Sequence, residues 1–125
     1  MNTFVISVDD VREISAFLDS YRPYLHSEVE QAQLLRAKLS DAVVVPASKL
    51  RNSVVAMYSR VRVLDLRARE EQINTLVFPT HANPGRRRIS LLSPLGTALL
   101  GCDTGSVIDV PIPGATLQFA VREVL

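Results

Sequence analysis

Few residues of this chain have types and spacings suited to chemistry, and each also has a plain structural reading. Asp9 and Asp10 form an adjacent carboxylate pair that could hold Mg²⁺ through oxygen ligands. They stand where an apolar-periodic segment begins, and negative side chains stabilise the positive end of a helix, so the structural reading is preferred. His26 and His81 are the only histidines, and neither is spaced from Cys or a second His so as to build a tetrahedral metal site. The single Cys102 follows a predicted helix end, with no helix N-terminus and no adjacent Lys or Arg to lower its pKa. It reads as a structural thiol. Five glycines scattered at turns and in one short helix form neither a phosphate-binding loop nor a nucleophile elbow. The expectation is a protein that is not an enzyme and takes no metal or cofactor.

The densest charge is Arg86-Arg87-Arg88, which beside Pro84-Gly85 could present three guanidinium groups to phosphate or to an acidic protein patch. No exposed aromatic pattern accompanies these arginines to stack bases, so a solvated loop is the preferred reading and direct nucleic-acid binding is not expected.

Composition sets the wider frame. Of 125 residues 47% are apolar and 22% charged, enough to bury a core. With 14 Lys+Arg against 13 Asp+Glu, no global field drives adhesion to nucleic acid or to an anionic membrane. No apolar run approaches the roughly 18 residues of a membrane span, and the opening MNTFVISVDDVRE lacks the pattern of a secretory signal. One cysteine makes no internal disulfide, so a cytoplasmic setting is predicted.

The apolar spacing changes character near Pro46. Asp10 with Glu13 reads as a capping box for a helix from Asp10 to Tyr21. Tyr21-Arg-Pro-Tyr24 interrupts it, and Ser27 with Glu30 reads as a second capping box, leading to a helix to Asp41 with Val29, Ala32, Leu35 and Leu39 along one face. Two helices so joined are predicted to pack antiparallel. After a linker at Ala42 to Ser48 the period becomes two. Val61 and Val63 alternate with Arg60 and Arg62, and a slip at Leu64 suggests a bulge. Further runs at Gln72 to Phe78, Ile89 to Leu92, Val107 to Ile112 and Leu117 to Val124 make about five strands. One helix interrupts them, capped by Ser93, begun by Pro94 and stopped by Gly101. Residues 1–45 hold four Lys+Arg and seven Asp+Glu, whereas residues 46–125 hold ten and six, so the halves differ in sign.

Ser53-Val-Val-Ala-Met-Tyr-Ser-Arg-Val61, Thr75-Leu-Val-Phe-Pro79 and Ile89-Ser-Leu-Leu-Ser-Pro-Leu-Gly-Thr-Ala-Leu-Leu-Gly101 resemble the Rnk family, regulators of nucleoside diphosphate kinase, which is similar to the Gre transcript-cleavage factors. The resemblance covers essentially the whole chain. It implies an α+β protein with a short antiparallel helical hairpin, a coiled coil, over residues 1–45, and an FKBP-like β domain shared with GreA and GreB over residues 46–125. In Gre factors the loop entering the helix docks on RNA polymerase near the secondary channel, and the matching positions are Leu92, Ser93 and Pro94. Gre factors also carry an acidic pair at the tip of a long coiled coil, where it recruits Mg²⁺ for RNA cleavage. Here the second helix would span only about 22 Å at roughly 1.5 Å per residue, and the turn from Tyr21 to His26 holds no carboxylate. The resemblance thus implies an RNA polymerase-binding transcription regulator without cleavage activity. The alternatives are a prolyl isomerase and a direct protein adaptor of nucleoside diphosphate kinase.

Overall fold

Seven strands and three helices are seen in a computed structural model that describes residues 3–23 and 25–125. The order is β1 (Val5–Ser7), α1 (Val8–Ser20), α2 (His26–Asp41), β2 (Val43–Val45), β3 (Arg60–Asp65), β4 (Glu70–Val77), β5 (Arg88–Ser90), α3 (Pro94–Leu99), β6 (Val107–Ile112) and β7 (Ala115–Val124). The last five strands form one sheet in the order β5-β4-β3-β7-β6, antiparallel except where β5 lies parallel to β4.

All five strands read from the period-two pattern are present, and two more are not legible in it. β1 and β2 pair in parallel, Val5 opposite Val43 and Ser7 opposite Val45. Three residues carry too little periodicity to announce a strand, and these two find each other only because α1 and α2 form the crossover between them. Position 24, assigned to the interrupting turn, lies outside the described residues.

The β1 pairing also moves the helix cap. Ser7, not Asp10, caps α1, its Oγ accepting the Asp10 N–H at 3.1 Å. Asp10 is the third residue of the helix, and its carboxylate instead accepts the Met57 N–H at 3.0 Å. α2 begins at His26 after Leu25, with no side-chain cap. Leu25 O receives the Glu28 and Val29 N–H groups, and Glu30 sits 3.1 Å from His26 Nε2. The second capping box is therefore a helical i, i+4 contact.

Arg62 faces Glu123 and Val63 faces Val121, so the bulge lies one step before the expected slip and its extra residue is Arg122 on β7. β3 itself keeps its alternation, with Val61 and Val63 buried inward and Leu64 half-buried on the outer face.

Pro46 marks a change of architecture but no break in the core. Ile6, Ile14, Leu18 and Leu35 join Met57, Val61, Leu76, Leu99, Phe119 and Val121 in one buried cluster. An aromatic series continues it, with Phe17 stacked on Tyr21 at 4.8 Å, Phe78 5.0 Å from Phe17 and Tyr58 6.2 Å from Phe78. Tyr58 also donates to Glu13 at 2.8 Å, which disfavours its ionisation.

α3 is packed against the sheet edge by Gly96. A Cβ there would lie 2.0 Å from Ser90 O, so helix and strand backbones meet at a distance no other residue allows. Alanine would raise helix propensity by about 1 kcal/mol, but the contact is with backbone and cannot be relieved by a rotamer. Gly96→Ala is expected to destabilise the protein by about 3 kcal/mol, read as a lower urea midpoint with an unchanged slope.

Candidate functional site

The turn leading into α3 is built from short hydroxyl side chains. Ser90 Oγ accepts the Leu92 N–H at 3.0 Å, and Ser93 Oγ donates to Ser90 O at 2.7 Å while accepting the Gly96 N–H at 3.0 Å. Buried Thr97 donates to Leu91 O at 2.7 Å. Four residues of turn are thereby held to one conformation. Leu91 and Leu92 are driven inward, 0% and 3% exposed. Of the three positions expected to dock, Leu92 is therefore a core residue whose side chain offers nothing to a partner. Ser93 and Pro94 are half-buried. The Ser93 hydroxyl is committed to its own turn, leaving Pro94 as the side chain turned to open space.

Pro94 lines a groove of about 440 Å³ between α2, α3 and β6. Leu34 and Ala37 form its α2 wall, Ile108 and Pro111 its β6 wall, and Phe4 closes one side. Asp41 and Asp109 contribute carboxylates, Asp109 accepting from the Gln118 amide at 3.0 Å. Leu34 is 54% exposed, an apolar side chain left in water beside an apolar channel.

Lys38 joins the two sides of that groove. Its ammonium donates to Thr97 O at 2.7 Å and to Ala98 O and Leu100 O at 3.0 Å, and it lies 4.1 Å from the centre of the Phe4 ring. A cation belongs at the negative end of a helix, and here one side chain serves three carbonyls at the end of α3. Burial pulls the Lys38 ammonium down from 10.5 to about 8, with the charge of the neighbouring Cys102 acting in the opposite sense. Cys102 is next to this group. Its thiol is 3% exposed, donates to Ala98 O at 3.1 Å and is pushed up by burial, with Lys38 acting in the opposite sense. A lysine is thus adjacent to the cysteine in space though not in sequence, and the thiol still reads as structural.

The remaining candidates are dispersed. Asp9 is exposed and Asp10 half-buried on Met57, where burial raises its pKa against the lowering effect of that hydrogen bond. Among the described residues no three His, Cys, Asp or Glu side chains are grouped to hold a metal ion. At the α1 to α2 turn, Asp19 lies 3.5 Å from Arg36 and Glu28 accepts from the Tyr21 hydroxyl at 3.2 Å, so both flanking carboxylates are engaged within the chain. Arg86, Arg87 and Arg88 are exposed on the far edge of the sheet from β6. The groove was not legible in the sequence, because its walls come from three separate segments.

Residues 50–125 match the C-terminal family of the transcription elongation factors GreA/GreB. The chain is 30% identical over 119 residues to the transcription elongation factor GreA of Acetivibrio thermocellus, covering 95% of this chain and 74% of that protein. It is 36% identical over 89 residues to GreA of Thermodesulfovibrio yellowstonii, of which the match covers 56%. Against that relative it spans little more than half the length. Among solved structures, a prokaryotic transcription elongation factor GreA/GreB from Nitrosomonas europaea superposes with a TM-score of 0.77 at 31% identity, covering 99% of this chain and 98% of that one. The GreA factor homolog 1 of Thermus thermophilus shares the fold, with a TM-score of 0.51 at 21% identity.

Lys38 gives a testable pH dependence. Between about 8 and 10.5 the unfolded chain holds a proton that the native state has released, so stability rises as pH increases through 8. From the ordinary thiol value of 9.0 upward Cys102 acts in the opposite sense, because the unfolded chain loses that proton first, and the climb levels off. The free energy of urea unfolding is therefore expected to climb from neutral pH to about 9. Lys38→Met is expected to abolish that climb and to cost about 3 kcal/mol at neutral pH, since Thr97 O and Leu100 O lose their donor.

Proposed function

The chain belongs to the GreA/GreB family of transcription elongation factors, and on that premise we propose that it is a bacterial RNA polymerase-binding transcription regulator that docks near the secondary channel and does not stimulate transcript cleavage. The observation that carries this reading is the groove beside Pro94. The loop entering α3, which the Gre resemblance assigns to polymerase docking, borders an open apolar channel with Leu34 exposed in its wall. An apolar centre with a polar rim is what a protein partner requires. Docking then uses Pro94 and the groove walls, with Leu92 acting only by fixing the turn from inside.

The absence of cleavage stimulation is part of the same proposal. α2 has 16 residues and so extends about 24 Å, and the carboxylates flanking the turn are engaged with Arg36 and Tyr21. A factor that occupies the channel entrance without delivering Mg²⁺ acts by excluding others, through mass action. The proposal includes placement in the Rnk branch, with α1 and α2 as a short helical hairpin, an FKBP-like C-terminal domain, a cytoplasmic setting and an effect on nucleoside diphosphate kinase that follows from transcription. Direct contact with the kinase is the competing version, and its signature is co-purification of the kinase without polymerase. Prolyl isomerase activity is disfavoured because, among the described residues, Phe4 is the one aromatic lining the groove.

The deciding experiment measures binding to purified bacterial RNA polymerase together with RNA cleavage on stalled complexes. Expected are binding that an excess of a Gre factor displaces, and no cleavage. Leu34→Glu is expected to weaken binding at least tenfold at unchanged thermal stability, since Leu34 is exposed in the free protein. Undiminished binding by that variant sinks the groove as the docking site, and cleavage by the native chain sinks the noncatalytic reading.

A further inference from the structure

We propose that the outer face of the sheet at the β3, β4 and β5 edge binds the phosphodiester backbone of a single nucleic acid strand. The residues are Arg60, Arg86, Arg87 and Arg88. In sequence, Arg60 is remote from the other three, but strand register brings them together: Arg60 faces Thr75 on β4, and Thr75 faces Arg88 on β5. Arg60 and Arg88 therefore share one face two strand spacings apart, about 10 Å. Arg86 and Arg87 stand beside them on a fixed turn. The Asn83 and Arg88 backbones exchange hydrogen bonds at 2.9 and 3.0 Å, the Arg86 N–H donates to Asn83 O and the Arg87 N–H to Pro84 O. Arg87 adopts φ 55°, a left-handed backbone that the preceding Pro84-Gly85 turn imposes.

None of these four side chains makes an ion pair with a described residue. Glu71 and Glu123 both lie on Arg62, two residues along β3 from Arg60. Arg62 thereby engages both carboxylates in a group of net charge −1, and the row of Arg60, Arg86, Arg87 and Arg88 is left without an ion pair among the described residues.

The occupant follows from what accompanies the charge. All four arginines are exposed, and the side chain between Arg60 and Arg88 is a threonine, so the row itself holds no apolar or aromatic anchor, and exposed Ile73 stands outside it opposite Arg62. Protein interfaces draw their affinity from such anchors, whereas nucleic-acid interfaces are polar and strongly positive. Guanidinium forks match phosphate oxygens in pairs, and without an aromatic platform the contact reads backbone and not base. β5 and β6 are opposite edges of the five-stranded sheet, so this face is separate from the groove beside Pro94. The proposal stands independently of polymerase docking, because its assay contains no polymerase.

The test is fluorescence anisotropy of the intact protein with a labelled 20-nucleotide single-stranded RNA of mixed sequence and with DNA of the same sequence, across salt. Four phosphate contacts predict a slope of log K against log salt of about −3, or about a 50-fold loss of affinity between roughly 50 and 200 mM. Arg60→Gln, Arg86→Gln, Arg87→Asn and Arg88→Gln are each expected to make the slope shallower by about 0.7. Arg67→Gln, in the turn beyond the opposite end of β3, is expected to leave it unchanged. If Arg88→Gln disturbs β5, Arg60→Gln on a separate strand still reports. RNA and DNA are expected to bind within about threefold of each other, since phosphate contacts carry no base or sugar information. Absence of binding at low salt, an equal loss in Arg67→Gln, a tenfold preference for one nucleic acid, or equal competition by polyglutamate would each overturn the proposal.

Discussion

The Lys38 ammonium is the contact on which the arrangement of the two halves depends. α3 has six residues and ends in a turn where Leu99 O accepts the Cys102 N–H, while Thr97 O, Ala98 O and Leu100 O face Lys38. A residue from α2 supplies three donations at once, and Phe4, immediately before β1, faces the same charge. Burial opposes this charge, so it persists only while the carbonyls face it. Any shift of α2 along the sheet domain would orphan both sides together. The N-terminal segment is thus held at a defined position over α3, reinforced by Asp10 on Met57 and Glu13 on Tyr58.

Rigidity at α3 has a second source on the opposite side of the helix. Gly96 admits the Ser90 carbonyl to the helix backbone, and the hydroxyls of Ser90, Ser93 and Thr97 satisfy the turn that this close approach creates. α3 is therefore gripped at its start by β5 and at its end by α2. The groove between α2 and β6 inherits its shape from these two constraints. A preformed surface spends little of its binding energy on ordering.

The sheet has two edges with different character. At β6 it borders an apolar groove with carboxylates on its rim; at β5 it presents arginines without an ion pair among the described residues. A protein docked through the first edge would leave the second free for a different partner. The charge asymmetry between residues 1–45 and 46–125 is thereby resolved into a local patch.

What the sequence by itself determined was local. Period-two runs fixed β3 to β7, and Ser93-Pro94 with Gly101 fixed α3, because alternation, capping and left-handed backbone depend on near neighbours. The resemblance to Gre factors likewise rested on contiguous words such as Ser93 to Gly101. Tertiary structure decided everything that required segments to meet. β1 and β2 exist only as a pair, and their pairing gave the α1 cap to Ser7 in place of Asp10. Leu92 looks like a docking residue in a motif and is core in space, because the Ser90 to Thr97 network turns it inward. Lys38 carries no sequence sign of its role, since its partners are carbonyls some sixty residues away. The arginine run was visible, but its meaning turned on Arg60 and Glu123, which only strand register could bring beside it or take out of account.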